Sequence, residues 1–179
     1  MRKIIYYVAT SIDGYISRLD GDISGFVPEG NGVDKYLADL QDFDTVIMGR
    51  ATYEFGYDYG LKPGQPAYPH MQHYIFSNTL KFDEKHPQVT ICPLDIDIVK
   101  NLKNMKGSDI YMCGGGMFAG WLLEHRLIDV LKIKLNPLII GEGVRLFEGS
   151  NSQYKLELSD HKEYDHGLQI MAFNISYSQ

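Results

Sequence analysis

The run Asp109-Ile-Tyr-Met-Cys-Gly-Gly-Gly-Met-Phe-Ala-Gly-Trp-Leu-Leu constrains this chain more than any other. A β-branched and aromatic stretch leads into three residues without a Cβ and then into a helical run, so the backbone must turn sharply at the carboxyl end of a strand. The first N–H groups of the helix that follows have no partner within it and are placed to meet an anion. Gly114 to Ala119 also satisfies the loose G-x-G-x-x-A form of a dinucleotide fingerprint, although the strand that follows is an alternating Lys/Leu run rather than one ending in an acid. Taken alone, the run fits a tight strand-to-helix turn as well as a phosphate cradle. A second junction of the same form lies upstream, where Asp44-Thr-Val-Ile-Met runs into Gly49-Arg-Ala-Thr-Tyr-Glu. Two such elements in one small chain point to a dinucleotide.

The rest of the chain alternates between the two kinds of element. Short apolar runs predict strands over Lys3–Thr10, Thr45–Met48, Tyr74–Ser77, Val89–Cys92 and Asp109–Cys113. Apolar residues at helical spacing predict helices over Val33–Asp42, Ile96–Met105 and Phe118–His125. Such alternation implies an α/β fold, a mainly parallel sheet covered on both faces, with a ligand site beyond the carboxyl ends of the strands. The last third changes to period two at Val130–Asn136, Lys155–Tyr164 and Leu168–Tyr177. It reads as antiparallel strands, the final two forming a hairpin through Asp165-His166-Gly167. Gly56 to Met71, rich in Gly, Pro and Tyr, reads as a long surface loop.

Whole-chain quantities exclude several classes of function. A length of 179 residues with 44% hydrophobic content suits one domain, residues 1–179. A net charge of −6 and the lack of any basic run argue against nucleic acid. Two cysteines, Cys92 and Cys113, are too few for a disulfide scaffold and fit a reducing, cytoplasmic setting. The chain begins directly with the strand-like Lys3-Ile-Ile-Tyr-Tyr-Val-Ala, and no apolar run reaches membrane-spanning length. The six histidines offer no close pair on a helix face, and His161-Lys-Glu163 has no accompanying P-C-x-x-C, so no metal is expected.

Three polar clusters follow strand ends. Arg50 and Thr52 stand at a helix start, where a guanidinium suits a phosphate monoester and a first-turn hydroxyl suits a pyrophosphate. Ser77-Asn78-Thr79 offers hydroxyl and amide donors, or forms a simple turn. Asp13-Gly14, after the first strand, reads equally as a turn or as an acid placed for chemistry.

As an ordered set, Ala9-Thr-Ser-Ile-Asp-Gly-Tyr-Ile, Val46-Ile-Met-Gly-Arg-Ala-Thr-Tyr-Glu, Tyr74-Ile-Phe-Ser-Asn, Ile110-Tyr-Met-Cys-Gly-Gly-Gly-Met-Phe and Asn136-Pro-Leu-Ile-Ile-Gly-Glu-Gly resemble the dihydrofolate reductase-like superfamily. The resemblance is strongest to the branch containing the RibD C-terminal reductase domain of riboflavin biosynthesis, and it covers Lys3 to Tyr177. It implies a three-layer α/β/α fold with an eight-stranded mixed, mainly parallel sheet, and NADPH along the carboxyl edge. By the same resemblance, Ala9 and Ile16 flank the nicotinamide and Gly49, Arg50, Ala51 and Thr52 meet the phosphates, Arg50 at the 2′-phosphate. Ser77 and Asn78 hold the adenosine end, and Gly114, Gly115, Gly116, Met117 and Phe118 wrap the pyrophosphate, with a cis peptide between Gly114 and Gly115.

Asp13 and Asp34 are the candidate catalytic acids, and Tyr7, Asp34 and Tyr53 the candidate substrate contacts. Tyr7 stands where the riboflavin enzymes commonly carry a lysine, and the deaminase half of a bifunctional protein is absent from this sequence. The reading is an NADPH-dependent reductase of a small heterocyclic or carbonyl compound, working as a homodimer. The alternatives are 5-amino-6-(5-phosphoribosylamino)uracil reduction, dihydrofolate reduction, or a non-catalytic nucleotide-binding protein.

Overall fold

The computed structural model describes residues 1–177. Its first strand, Ile4–Thr10 (β1), shows how the sheet is built: Ile4 and Tyr6 point into one core while Ile5 and Tyr7 point into another. Alternate side chains of a strand face opposite ways, so a strand apolar on both faces must be covered on both. After the short Tyr15–Ser17 strand (β2), helix Asn31–Leu40 (α1), strand Thr45–Gly49 (β3) and helix Arg50–Phe55 (α2), the chain forms strands Gln72–Phe76 (β4) and Val89–Cys92 (β5). Helix Ile96–Asn104 (α3), strand Ile110–Gly114 (β6), helix Gly116–Glu124 (α4) and strand Val130–Leu135 (β7) follow. The two-residue Val144–Arg145 (β8) and the hairpin Lys155–Glu163 (β9) and Gln169–Ser176 (β10) end the described chain.

Eight strands form one sheet in the order β5-β4-β3-β6-β1-β7-β10-β9, parallel from β5 to β7 and antiparallel beyond. The mixed, three-layer α/β/α architecture is therefore present. α3 and α4 cover one face, through Val99, Leu102, Phe118 and Leu122, while α1, α2 and the segment after α2 cover the other, through Leu40, Tyr53 and Met71. Burying a side chain of this size contributes roughly 1.5–3 kcal/mol, so these two layers hold the sheet.

The 56–71 segment is less free than a surface loop. Its Gly56–Tyr59 stretch is a 3-10 turn, Gln65 accepts a 2.6 Å hydrogen bond from the Tyr53 hydroxyl, and Tyr68 packs edge-on against Tyr111. At Gly64 (φ 80°) a Cβ would lie 2.3 Å from the Glu84 carbonyl oxygen, so only glycine lets these two backbones meet.

Candidate functional site

β3 and β6 are neighbours in the sheet, with Met48 opposite Gly114. The two glycine junctions therefore leave the same carboxyl rim side by side, at a point where the strand order reverses and open α/β sheets take their ligands. Gly114 and Gly115 have φ values of 144° and 96°, a path that residues bearing a Cβ rarely follow. Among the described residues there is no cis peptide bond, which corrects the expectation at Gly114–Gly115. Two successive positive-φ glycines already make the sharp turn with a trans linkage.

A Cβ on Gly115 would stand 3.0 Å from the Thr52 hydroxyl, and one on Gly49 would stand 3.3 Å from Phe118 Cβ. The two elements thus converge on one small space floored by bare backbone. α4 begins there with Gly115 as its N-cap and no side-chain cap, leaving its first amides to a ligand. Met117 in that first turn is 75% exposed, whereas Phe118 is buried against Phe76 and holds the turn in place. Gly116 has another duty: its Cβ would fall 2.2 Å from the Arg145 carbonyl oxygen, and its own carbonyl accepts from Glu148 N–H at 2.9 Å.

Arg50 reaches along the same rim. Its Nε donates to Glu54 Oε1 and its Nη1 to Thr79 Oγ1, both at 2.9 Å, so the guanidinium spans from α2 to the turn after β4. Ser77 and Asn78 lie in that turn with their side chains engaged. Ser77 Oγ accepts from the amides of Thr79 and Leu80, and Asn78 Oδ1 accepts from Leu94 N–H. Their fixed positions make this a preformed edge beside the exposed Arg50 and Ala51.

At the other end of the rim, Asp13 is a clamp. It accepts from Ser11 Oγ at 2.6 Å and from the amides of Ile140 and Gly141 at 3.1 and 2.7 Å. The Ser11 bond, with the two amides, pulls its carboxyl down to about 2. Through these bonds the Asp13 carboxylate ties the 138–141 loop to the turn after β1. Wholly buried Asn136 joins the same region, accepting from Val27 N–H at 2.9 Å and donating to the carbonyl of Lys134 at 3.0 Å. Ile16, in the β2–β8 ribbon, and Ala9, near the end of β1, are half-buried. Leu146 N–H donates to Gly14, and Glu148 N–H to Gly116. An unbroken chain of contacts thus runs from Asp13 through the 144–148 segment and the glycine turn to Thr52 and Arg50.

The substrate side needs more correction. Tyr7 and Tyr53 are 0% and 1% exposed and present no surface to a ligand. The Tyr7 hydroxyl donates to Asp39 Oδ2 at 3.1 Å, while the Tyr53 hydroxyl holds the 56–71 segment. Asp34 is exposed, and its carboxylate has no hydrogen bond or ion pair among the described residues. The buried acid of α1 is Asp39 instead, bonded to Lys35 and, at 2.8 Å, to Lys132. Burial alone would raise its carboxyl, but these two ammonium groups outweigh that and hold it below the usual range.

Sequence reasoning passed over Lys134, whose Cα pairs with Ala9 and whose ammonium lies 4.4 Å from the centroid of the Tyr36 ring. Its only sequence signal was the Lys/Leu alternation of β7. Two concavities of about 460 and 260 Å³ open at the opposite, amino rim, around Arg2 and around Asp42, and contain none of the expected cofactor residues. Among the described residues no cluster of His, Cys, Asp or Glu is arranged for a metal, and no helix is long and apolar enough to cross a membrane.

Residues 2–170 match the RibD C-terminal domain family. The uncharacterized protein YwjB of Bacillus subtilis is 30% identical over 172 residues, covering 94% of this chain and 96% of its own. A solved Shewanella sp. PV-4 protein, provisionally assigned to riboflavin biosynthesis, superposes with a TM-score of 0.79 at 23% identity, covering 98% of this chain and 99% of its own. Dihydrofolate reductase from Enterococcus faecalis, solved with NADP(H), superposes with a TM-score of 0.66 at 16% identity over 97% of this chain and 96% of its own. With a family match over nearly its whole length and this fold beneath it, the chain belongs to the RibD C-terminal domain family.

Proposed function

We propose that the protein is a cytoplasmic NADPH-dependent reductase of a small heterocyclic or carbonyl compound. The observation that carries this reading is the convergence at one rim of the Thr52 hydroxyl, the bare Gly114–Gly115 turn at the uncapped start of α4, and the Arg50 guanidinium. Main-chain amides of α4 and the Thr52 hydroxyl suit a diphosphate, and a guanidinium held at a fixed distance along the rim suits a further phosphate monoester. Ala9 and Ile16 supply the flat apolar flanks that a nicotinamide ring needs. When bound, the cofactor supplies the hydride; the protein's part is to hold the two reacting carbons together and exclude water. The Asp13 clamp and Asn136 contribute by fixing the loops at the nicotinamide end. Two free cysteines agree with a reducing compartment, and the reading includes a homodimer.

Among the substrate alternatives, the phosphoribosylaminouracil is the less favoured, because a buried tyrosine, Tyr7, occupies the position of the usual lysine. The test of the cofactor assignment is a fluorescence titration of wild type and Arg50→Ala with NADPH and NADH. Loss of a charge-assisted contact to the 2′-phosphate should weaken NADPH by about 10- to 100-fold and leave NADH nearly unchanged. Equal losses for the two coenzymes would contradict the role of Arg50. Tight NADPH binding without turnover on any pterin, pyrimidine or carbonyl compound would favour the non-catalytic reading.

A further inference from the structure

We propose that Lys134 is the substrate-recognition residue of this site and that it selects a flat substrate carrying a negatively charged oxygen group, such as a carboxylate or an enolate. The proposal rests on the cofactor reading above, since it places the substrate beside Ala9.

The neighbouring lysine defines what is unusual here. Lys132, two residues earlier on the same face of β7, meets the Asp39 carboxylate at 2.8 Å. Lys134 meets Tyr36 instead, three residues before Asp39 on α1, so an aromatic ring stands where the first lysine has an acid. The Tyr36 hydroxyl is already engaged with Tyr111 at 2.7 Å. Among the described residues the Lys134 ammonium has no hydrogen bond or ion pair, although the side chain is half-buried. The other interior lysine, Lys103, has Asp129 at 2.6 Å.

Taking an ammonium from water without an acceptor is costly, and cation–π contact recovers only part of that cost. Burial accordingly holds the Lys134 pKa below the usual lysine value. The local charge balance has the same sign. Across β10, Ile170 separates Lys134 from Lys162, which lies 5.3 Å from the Tyr164 ring and also has no ion pair among the described residues, while Asp39 is committed to Lys35 and Lys132. In a chain of net charge −6 this is a local excess of unpaired positive charge. Ala9 and Lys134 are in register on adjacent strands, about 5 Å apart in backbone, so an anion on Lys134 would hold an attached ring directly beside the Ala9 end of β1.

The test compares orotate and pterin-6-carboxylate with their neutral amides, by calorimetric titration of the NADP⁺-saturated protein. Wild type should prefer the acids by about tenfold or more, the worth of one charge-assisted hydrogen bond. Lys134→Arg should keep the preference, and Lys134→Met, which retains the apolar stem over Tyr36, should lose it. NADPH affinity should be the same in all three proteins, which also shows that each is folded. Equal affinity for acid and amide in wild type, failure to bind any of the four probes, or a preference that survives in Lys134→Met would overturn the assignment. If wild type does not bind NADPH, the cofactor reading fails on that result alone, and the acid-over-amide comparison on the cofactor-free chain still decides the role of Lys134.

Discussion

Side chains proposed to face a ligand at the carboxyl rim and side chains that hold the backbone elsewhere in the sheet should respond differently to substitution. Thr52→Val removes a hydroxyl while preserving shape, so it should weaken NADPH and NADH equally, by about 10-fold or more, the worth of one hydrogen bond to an anionic diphosphate. A titration that finds NADPH alone affected would move Thr52 from the diphosphate to the 2′-phosphate end. His73, near the amino end of β4, holds the 56–71 segment: its Nε2 accepts from the Tyr68 amide at 3.1 Å, and its Nδ1–H therefore donates to the Met71 carbonyl at 3.0 Å. Burial, the main cause, pushes its pKa down to about 4. The unfolded chain binds a proton at an ordinary pKa of about 6.5 that the folded chain refuses, so acid favours unfolding. The contribution is complete above pH 6.5, falls by about 3 kcal/mol as pH drops to 4, and changes no further below that. Urea denaturation across this window should show a shallower decline for His73→Asn than for wild type. The rim position of Arg50 and Thr52 was legible in the sequence because its signal is local, a polar pair just after a strand. Asn136 was legible only as part of a motif and Lys134 not at all, because what each meets is the strand or loop lying opposite, and only the register reveals that.

At the scale of elements, β1 and β3 to β7 lay within a few residues of where apolar runs placed them, as did the final hairpin and helices α1, α3 and α4. β2 and β8 were missed for a physical reason. With three and two residues, each exists only through the other, from more than a hundred residues away, and has no periodicity to detect. That ribbon is nonetheless what presses the 144–148 segment onto α4. A Cβ at Gly120 would lie 1.9 Å from the Glu148 carbonyl oxygen, so the helix needs glycine there for backbone contact. Helix propensity alone would make Gly120→Ala stabilising by about 1 kcal/mol. Overpacking against an immobile carbonyl should outweigh this, and we expect a net destabilisation of about 1–3 kcal/mol in chemical denaturation. The same change should lower NADPH affinity, since Gly116, one turn earlier, is tied to Glu148 by a hydrogen bond. A stabilised variant would show that the segment yields easily and does not position the cradle.

For the whole molecule, the sheet is closed by helices over most of its width but not at its last strand. All nine residues of β9 are exposed, and Leu156 and Leu158, on one face of it, are 46% and 52% exposed. Opposite them on β10 stand Ile175 and Phe173, only partly buried, so an apolar patch continues off the core beyond the reach of α4. A bulge between Ala172 and Phe173 twists the edge, which disfavours strand-to-strand addition and leaves the face as the surface for association. We propose a second copy as the occupant, because an apolar patch that pairs with itself closes under a two-fold axis without leaving a free end. Light scattering at micromolar concentration should therefore give twice the 20.4 kDa chain mass. Replacing both leucines, as Leu156→Ser with Leu158→Ser, should give a monomer that keeps its circular dichroism and still binds NADPH, since β9 lies four strands from β6 in the sheet. A wild-type monomer, or a dimer that survives both changes, would place association elsewhere or remove it. Loss of NADPH binding together with the dimer would mean that the partner chain completes the site, contrary to the contacts within one chain that join Asp13 to Arg50.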